Sequence, residues 1–466
     1  MINELPAEIL QTIFELVAGN PGRYPPPNSE AKIQDKLCSV CQLWRKVALQ
    51  DPFLWNTIRF LANEPAIKSA ERCIQLSGNA PLDIYMIASK SYERLTSAEV
   101  TIKTYGTQFI KLIETHSHRW RVLEVEYPSL ILDLYPLWNG QASILERLVI
   151  SWRASSLVPS PPSLMPGSDK LASLTISQFG VRWDQWSCTS ITHLIIGPFG
   201  PTVRAPTTQE LYDILSAVSD RLCSLTIRGS WSATQEESTH EDPVVLRALT
   251  SLTISTRWDP SVQQALCMCR FPNLVQLDTY VSLFGILPPQ LTQLLTDEPK
   301  LFQSVKRITI GGLVQSIGPI SGAGVNSMSL VLQSAFPQVH HVRLAPYMSL
   351  EGSIADVLGS SWASMARLDL PEADLPQAVA ILSTRVLKGF PARLRELNIG
   401  KVSGLLYRAD YERICSGVER VTISEVRPES GRQFVFNRNV IPFKETLLIA
   451  QVPEQRTRRP MQTRAL

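Results

Sequence analysis

One short apolar motif recurs along most of this chain and constrains its fold more than any other feature. The motif is apolar-x-x-apolar-x-apolar. It reads Trp120-Leu123-Val125, Leu145-Leu148-Ile150, Leu171-Leu174-Ile176, Ile191-Leu194-Ile196, Leu222-Leu225-Ile227 and Leu249-Leu252-Ile254. It continues as Leu274-Leu277-Thr279, Val305-Ile308-Ile310, Val339-Val342-Leu344, Met365-Leu368-Leu370, Leu394-Leu397-Ile399 and Val418-Val421-Ile423. The central residues of these twelve copies run from Leu123 to Val421, a mean step of about 27 residues with individual steps from 20 to 34. The last two apolar positions of each copy lie two residues apart, which puts them on one face of a strand. Leu82-Asp83-Ile84-Tyr85-Met86 is expected to add one strand at the N-terminal end.

Between several motifs the apolar period changes to that of a helix, at Leu211, Ile214, Leu215 and Val218, at Val325, Met328, Val331 and Leu332, and at Ala378, Ile381, Leu382, Val386 and Leu387. A strand and a helix per repeat, each unit covering its neighbour, is a solenoid, and a solenoid can extend where a single core cannot. This portion resembles a leucine-rich repeat domain, whose period falls in the same range. The resemblance implies parallel strands on a concave face and helices on the convex face. The asparagine or cysteine usual three residues beyond the last apolar position is absent, its places holding Arg153, Phe179, Phe199, Ser230 and Arg257. The expectation is therefore an irregular α/β solenoid of twelve or thirteen units over residues 81–427. An ordinary parallel α/β sheet is the alternative. Insertions interrupt the array at Ser155–Ser168, Gly197–Thr208, Gln235–Asp242 and the glycine-rich Gly311–Gly324.

Residues 1–60 have another texture. Pro6 opens an amphipathic helix with Ile9, Leu10, Ile13, Phe14, Leu16 and Val17 on its apolar side. A Pro-rich stretch follows, then a second helical run through Leu37, Val40, Cys41, Trp44, Val47 and Ala48, closed by Asp51-Pro52 and the cluster Phe53-Leu54-Trp55 with Ile58. About sixty residues cannot hide so much apolar surface internally, so part of it is expected to meet a partner. The series Leu5-Pro6-x-Glu8-Ile9-Leu10-x-x-Ile13-Phe14, Val40-Cys41-x-x-Trp44-Arg45-x-x-Ala48, Asp51-Pro52-x-Leu54-Trp55 resembles an F-box. With the long Gly19–Lys36 insertion and Ser77–Leu82, it is similar to fungal F-box proteins of the mushroom type. The resemblance implies a three-helix module that docks on the Skp-type adaptor, and through it on the cullin and RING subunits, of a ubiquitin ligase. It assigns adaptor binding or the module core to Leu5, Pro6, Ile9, Leu10, Ile13, Val40, Trp44 and Leu54. The alternative is a helical cap packed on the rest of the chain. The expected organisation is thus α+β: module 1–60, connecting helix 61–80, solenoid 81–427 and C-terminal segment 428–466.

Alternation assigns the faces of the strands. Residues flanking each central apolar position point to the concave side. From the third to the sixth copy these are mainly small hydroxyl residues, and from Gln276 and Asp278 onward they become charged. Arg307, His341, Arg343, Arg367, Asp369, Glu396, Asn398 and Arg420 are the expected client-binding residues, the arginines suiting carboxylate or phosphate. Alternatively these charges neutralise one another, Arg367 with Glu396 or Arg343 with Asp369.

Composition narrows the function classes. With 45 Lys+Arg against 42 Asp+Glu over 466 residues the formal charge is +3, and the tail accounts for all of it through Arg456, Arg458, Arg459 and Arg464 against Glu454. A body so balanced is not a nucleic-acid binder by charge. No apolar run spans a membrane, no basic n-region opens the chain, and eight irregularly spaced cysteines suit a reducing compartment, cytoplasm or nucleus. GxSxG, HExxH and GxxxxGK[ST] are all missing, and Cys38-x-x-Cys41 has no second half to complete a metal site. Cys38, Cys41, Cys267 and Cys269 read as helix-packing residues, and the acidic group Asp369, Glu372 and Asp374 as a solvated strand-to-loop connection. The expectation is a substrate receptor of an SCF-type ligase, without catalytic residues, metal or cofactor. A ligase-independent F-box scaffold and a ligand-sensing solenoid are the alternatives.

Overall fold

The computed structural model describes residues 5–18, 33–60, 64–87, 96–127, 141–152, 167–199, 203–229, 242–255, 266–280, 295–296, 298, 300–311, 330–345, 353–373, 375–390, 394–403, 413–414 and 416–427. Most of the insertions Ser155–Ser168, Gln235–Asp242 and Gly311–Gly324, with Asp374 and the basic tail, lie outside these residues, whereas most of Gly197–Thr208 is described. The chain forms two compact units, residues 1–275 and 276–466.

The first unit begins with helices α1 (Ala7–Ala18), α2 (Ile33–Val40) and α3 (Gln42–Gln50). Leu10 and Phe14 of α1 are buried, and the Phe14 ring lies 4.9 Å from that of Trp44. The second helical run is two helices rather than one. Cys41 leaves the helix with φ −159° and caps α3, its Sγ accepting from the Trp44 N–H, which breaks the run where the periodicity appeared continuous. Asp51 then caps a short 3₁₀ turn, Pro52–Trp55, by accepting from Phe53 and Leu54. Trp55 is buried and donates its indole N–H to the Ala48 carbonyl at 2.7 Å.

Strand β1 (Thr57–Phe60) follows directly and pairs in parallel with β2 (Leu82–Ile87), so the sheet starts earlier than residue 81. Ile58 and Phe60 fill its buried face. Helix α4 (Glu64–Leu76) occupies the connecting segment, and α5 (Thr96–Glu114) buries Phe109, Ile110 and Ile113. The parallel ladder continues through β3 (Trp120–Tyr127), β4 (Arg147–Trp152), β5 (Ser173–Ser177), β6 (His193–Ile196), β7 (Ser224–Arg228) and, after a two-residue β8 (Val244–Val245), β9 (Ser251–Ser255). β8 pairs with β10 (Cys269–Arg270). Cys269 therefore lies on a strand, where it is buried, and not in a helix. Helix α6 (Thr208–Val218) carries a full capping box between Thr207 and Glu210.

The second unit repeats the scheme with β11 (Gln276–Tyr280), β12 (Arg307–Gly311), β13 (His341–Leu344), α7 (Ser353–Ser361), β14 (Arg367–Ala373), α8 (Leu375–Leu387), β15 (Leu394–Ser403) and β16 (Val418–Arg427), its strands paired in parallel in that order. β14 runs through Pro371, placing Glu372 opposite Lys401, so the acidic group reads partly as strand rather than as a connection. Gly311 likewise closes β12 instead of opening a loop.

All twelve motifs are strands, and their central residues stand side by side. Leu123, Leu148, Leu174, Leu194, Leu225 and Leu252 form one ladder, and Leu277, Ile308, Val342, Leu368, Leu397 and Val421 the other. All are buried except Val421 on the last strand. The first motif position is buried in every copy as well. In several copies it closes a tight turn by donating its N–H to the carbonyl three residues earlier, as in Leu145 to Ala142, Leu171 to Ser168, Val305 to Phe302, Val339 to Phe336 and Met365 to Trp362. These turns satisfy backbone groups at the entry to each of these strands. Two buried arginines add to them. Arg119 donates to Ala80 O and Ser77 Oγ, and Arg385 on α8 donates to Trp362 O and Met365 O.

Candidate functional site

The eight charged and polar residues expected to bind a client all lie on the face of β12–β16 opposite the buried apolar positions. Register brings them into two rows. Arg307, His341, Arg367, Glu396 and Arg420 form one, and Thr309, Arg343, Asp369, Asn398 and Thr422 the next. Asp369 is the hub. His341 Nε2 lies 2.7 Å from Oδ2, Arg367 Nε donates to Oδ1 at 2.9 Å, and Asn398 Nδ2 donates to Oδ1 at 2.7 Å. Burial pushes the Asp369 carboxyl up, but the hydrogen bonds from His341, Arg367 and Asn398 outweigh it and hold it well below the usual carboxylate range. Arg367 also reaches Glu396 at 3.2 Å, and Arg420 approaches the same carboxylate at 3.9 Å.

The self-neutralising alternative therefore describes half of this face. Arg367 pairs with Glu396 as expected, whereas Asp369 is taken by His341 and Arg367 instead of Arg343. Arg343 is exposed and has neither hydrogen bond nor ion pair among the described residues. Arg307 is exposed and, among the described residues, donates only to the neutral Gln276 Oε1, at 3.1 Å.

Because the Asp369 side chain is only 16% exposed, its network contributes to stability as well as to surface charge. Asp369→Asn is expected to lower unfolding free energy by about 2 kcal/mol at neutral pH. The folded-state carboxyl is depressed, so this contribution is present above the ordinary aspartate pKa near ~4 and is lost as pH falls below it. Urea unfolding of the two proteins should converge between about pH 5 and pH 2. A gap of constant size across that window would contradict the assignment.

In the N-terminal helices the expected adaptor residues divide by burial. Leu10 and Leu54 are 1% and 2% exposed and belong to the core, not to a docking surface. Leu5, Ile13 and Trp44 are half-buried and Pro6 is exposed. Ile9 and Val40 remain 48% and 56% exposed. Sequence reasoning did not single out Leu16, Val17, Leu43 and Phe53 as accessible, yet all are exposed. On α1, Ile9, Ile13, Leu16 and Val17 share one side at helical spacing, a strip wider than the core beneath it covers.

A polar cluster in the first unit also went unread. Arg121 binds Asp83 through two hydrogen bonds of 2.9 and 2.7 Å, Arg147 meets Glu124 at 2.7 Å, and the Arg59 guanidinium lies 5.8 Å from the Tyr85 ring centre. A register shift between β2 and β3 places Arg121 beside Asp83, and nothing in the apolar pattern signals that shift. Glu124 is buried, which pushes its carboxyl up despite Arg147. Among the described residues no helix is long and apolar enough to cross a membrane, and no group of three or more His, Cys, Asp or Glu side chains is placed to hold a metal ion.

The class these observations define is an α/β repeat protein of sequential parallel strands, preceded by a small helical segment with an uncovered apolar strip. No family model matches the chain, and no curated protein matches it. Among solved structures it is similar to the leucine-rich repeat-containing protein LegL7 from Legionella pneumophila, with 15% identity over 58% of this chain and 91% of that one and a TM-score of 0.37.

Proposed function

We propose that the chain is the substrate-recognition subunit of an SCF-type cullin–RING ubiquitin ligase, acting in cytoplasm or nucleus. Its N-terminal helices dock on a Skp-type adaptor, and the open face of the repeat array holds a client protein. The observation that carries this reading is the uncovered apolar strip. Leu10, Phe14, Leu54 and Trp55 complete the helical core, yet Ile9, Leu16, Val17, Val40 and Phe53 stay outside it on the segment that resembles an F-box. Apolar side chains at this density on so small a segment mark an interaction surface. The chain itself performs no bond chemistry in this role. It raises the local concentration of client lysines beside a charged conjugating enzyme supplied by other subunits.

The test is affinity purification of the tagged full chain followed by mass spectrometry, beside a variant carrying Ile9→Asp and Val40→Asp. Both positions are exposed, so the variant is expected to fold. The intact chain should recover a Skp-type adaptor and a cullin, and the variant neither, while array-dependent partners persist in both. Recovery of client partners without adaptor or cullin by the intact chain would favour a ligase-independent scaffold instead.

A further inference from the structure

Four arginines lie on the open face of β12–β16, and they are not equivalent. Arg367 and Arg420 face Glu396, and Arg367 also binds Asp369. Arg307 and Arg343 have no carboxylate partner among the described residues. They stand diagonally on adjacent strands, since Arg307 pairs with His341 and Arg343 lies two residues further along β13. That placement separates their Cα atoms by about 8 Å, within reach of one shared ligand group for two long side chains.

Next to them the sheet has a built feature. Tyr280, 40% exposed, is on the same open face at the end of β11, opposite Gly311. A side chain on Gly311 would sit 2.8 Å from Tyr280 Cδ1 and 2.5 Å from Ala345 Cβ. The missing Cβ thus lets the tyrosine ring lie over β12 toward Ala345. Arg343 is close enough to act electrostatically on the Tyr280 hydroxyl. The neighbouring Asp278 makes no ion pair with Arg307 or Arg343 among the described residues: its side chain is buried and its Oδ2 accepts from Gln276 at 2.7 Å.

We infer that Arg307 and Arg343, with the Tyr280 ring as an apolar ledge, form the part of the receptor face that grips a carboxylate side chain of an acidic client segment. Guanidinium forks match carboxylate oxygens, and the ledge suits the methylene stem of a glutamate or its neighbour. A monoanionic carboxylate is favoured over a phosphate dianion because the Asp278 and Asp369 carboxylates stand on the strands to either side of the pair and oppose a second negative charge. This inference rests on the receptor reading above. The remaining residues, His341, Arg367, Asp369, Glu396, Asn398 and Arg420, serve as the fixed frame around the grip.

The experiment uses immobilised full-length protein and four degenerate peptide pools that differ only in a fixed central Glu, Gln, Lys or phosphoserine. The Glu pool should be retained several-fold over the Gln and Lys pools. Arg307→Gln and Arg343→Gln should each reduce that retention about tenfold, as for loss of a charge-assisted hydrogen bond. Arg343→Lys should fall between Arg343→Gln and the unaltered chain, and Arg247→Gln, at an exposed ion pair of the first unit, should leave selection unchanged. Melting temperatures of these exposed-site variants report whether each is folded. Equal retention of the Glu and Gln pools, selection that survives both arginine substitutions, or capture of the phosphoserine pool in preference to Glu would each overturn the assignment. Adaptor recovery is read separately. Intact Glu selection without adaptor removes the ligase reading alone, and adaptor recovery without Glu selection removes the grip alone.

Discussion

Replacing Arg385 by alanine is expected to destabilise the protein by about 4 kcal/mol. Arg385 is 2% exposed, and burial lowers its pKa to about 10. It keeps its charge there because its guanidinium serves the turn that enters β14, donating to Trp362 O at 2.8 Å and to Met365 O at 3.4 Å, and lies 5.5 Å from the Phe390 ring centre. Truncation removes the Arg385 donor from Met365 O and leaves Trp362 O with the Met365 N–H alone, at about 1–3 kcal/mol for a buried group left unsatisfied, and opens a cavity under α8. Arg385→Met refills the volume without donating, so it should recover only the packing part. Chemical unfolding of both variants checks this. A loss below about 1 kcal/mol for Arg385→Ala would show that the turn is satisfied by other means.

Gly229→Ala has the second-largest expected effect. Gly229 has φ +76°, and an added Cβ would meet Pro198 Cβ at 2.3 Å and Pro198 Cα at 2.6 Å. The left-handed backbone costs about 1–2 kcal/mol for alanine, and the clash is with the ring and backbone of Pro198 rather than with the far end of a flexible side chain. Together these predict a loss of about 3 kcal/mol. Gly78 and Gly389 supply the control. Both have positive φ but open space around them, so alanine there should cost only about 1 kcal/mol. Thermal unfolding separates the cases, and equal losses at Gly229 and Gly78 would refute the steric component.

The difference between these two glycines shows where sequence reasoning stops. The strands were legible because each motif states its burial locally and repeats it. Leu174 and Ile176 declare a face, and the same declaration eleven more times declares a sheet. β1 escaped because four residues with Ile58 and Phe60 inward are too short a pattern to stand apart from the aromatic cluster before them. The break at Cys41 escaped because a thiol capping a helix leaves the apolar period intact on both sides. Buried Arg119 and Arg385 read as ordinary charged residues, since their carbonyl partners lie 39 and about 20 residues away in the chain.

The candidate site was legible to a similar depth. Alternation places Arg307, His341, Arg343, Arg367, Asp369, Glu396, Asn398 and Arg420 on one face because a strand allows only two. Which of them neutralise one another depends on diagonal reach across strands. His341, not Arg343, takes Asp369, and that choice leaves Arg343 available. Gly311 belongs to the same lesson. It looked like the start of a flexible insertion, and it is a strand residue whose missing side chain makes room for Tyr280. On the N-terminal helices the motif marked both core and surface residues, and only packing separates Leu10 and Leu54 from Ile9 and Val40.

The central claim is that this uncovered strip docks an adaptor. The most direct measurement is size-exclusion chromatography of the purified full chain mixed with a purified Skp-type adaptor, beside the Ile9→Asp/Val40→Asp variant at matched concentration. The account predicts a stoichiometric complex with the unaltered chain and separate elution with the folded variant. Separate elution of the unaltered chain, or a complex that forms equally well with the variant, would contradict it.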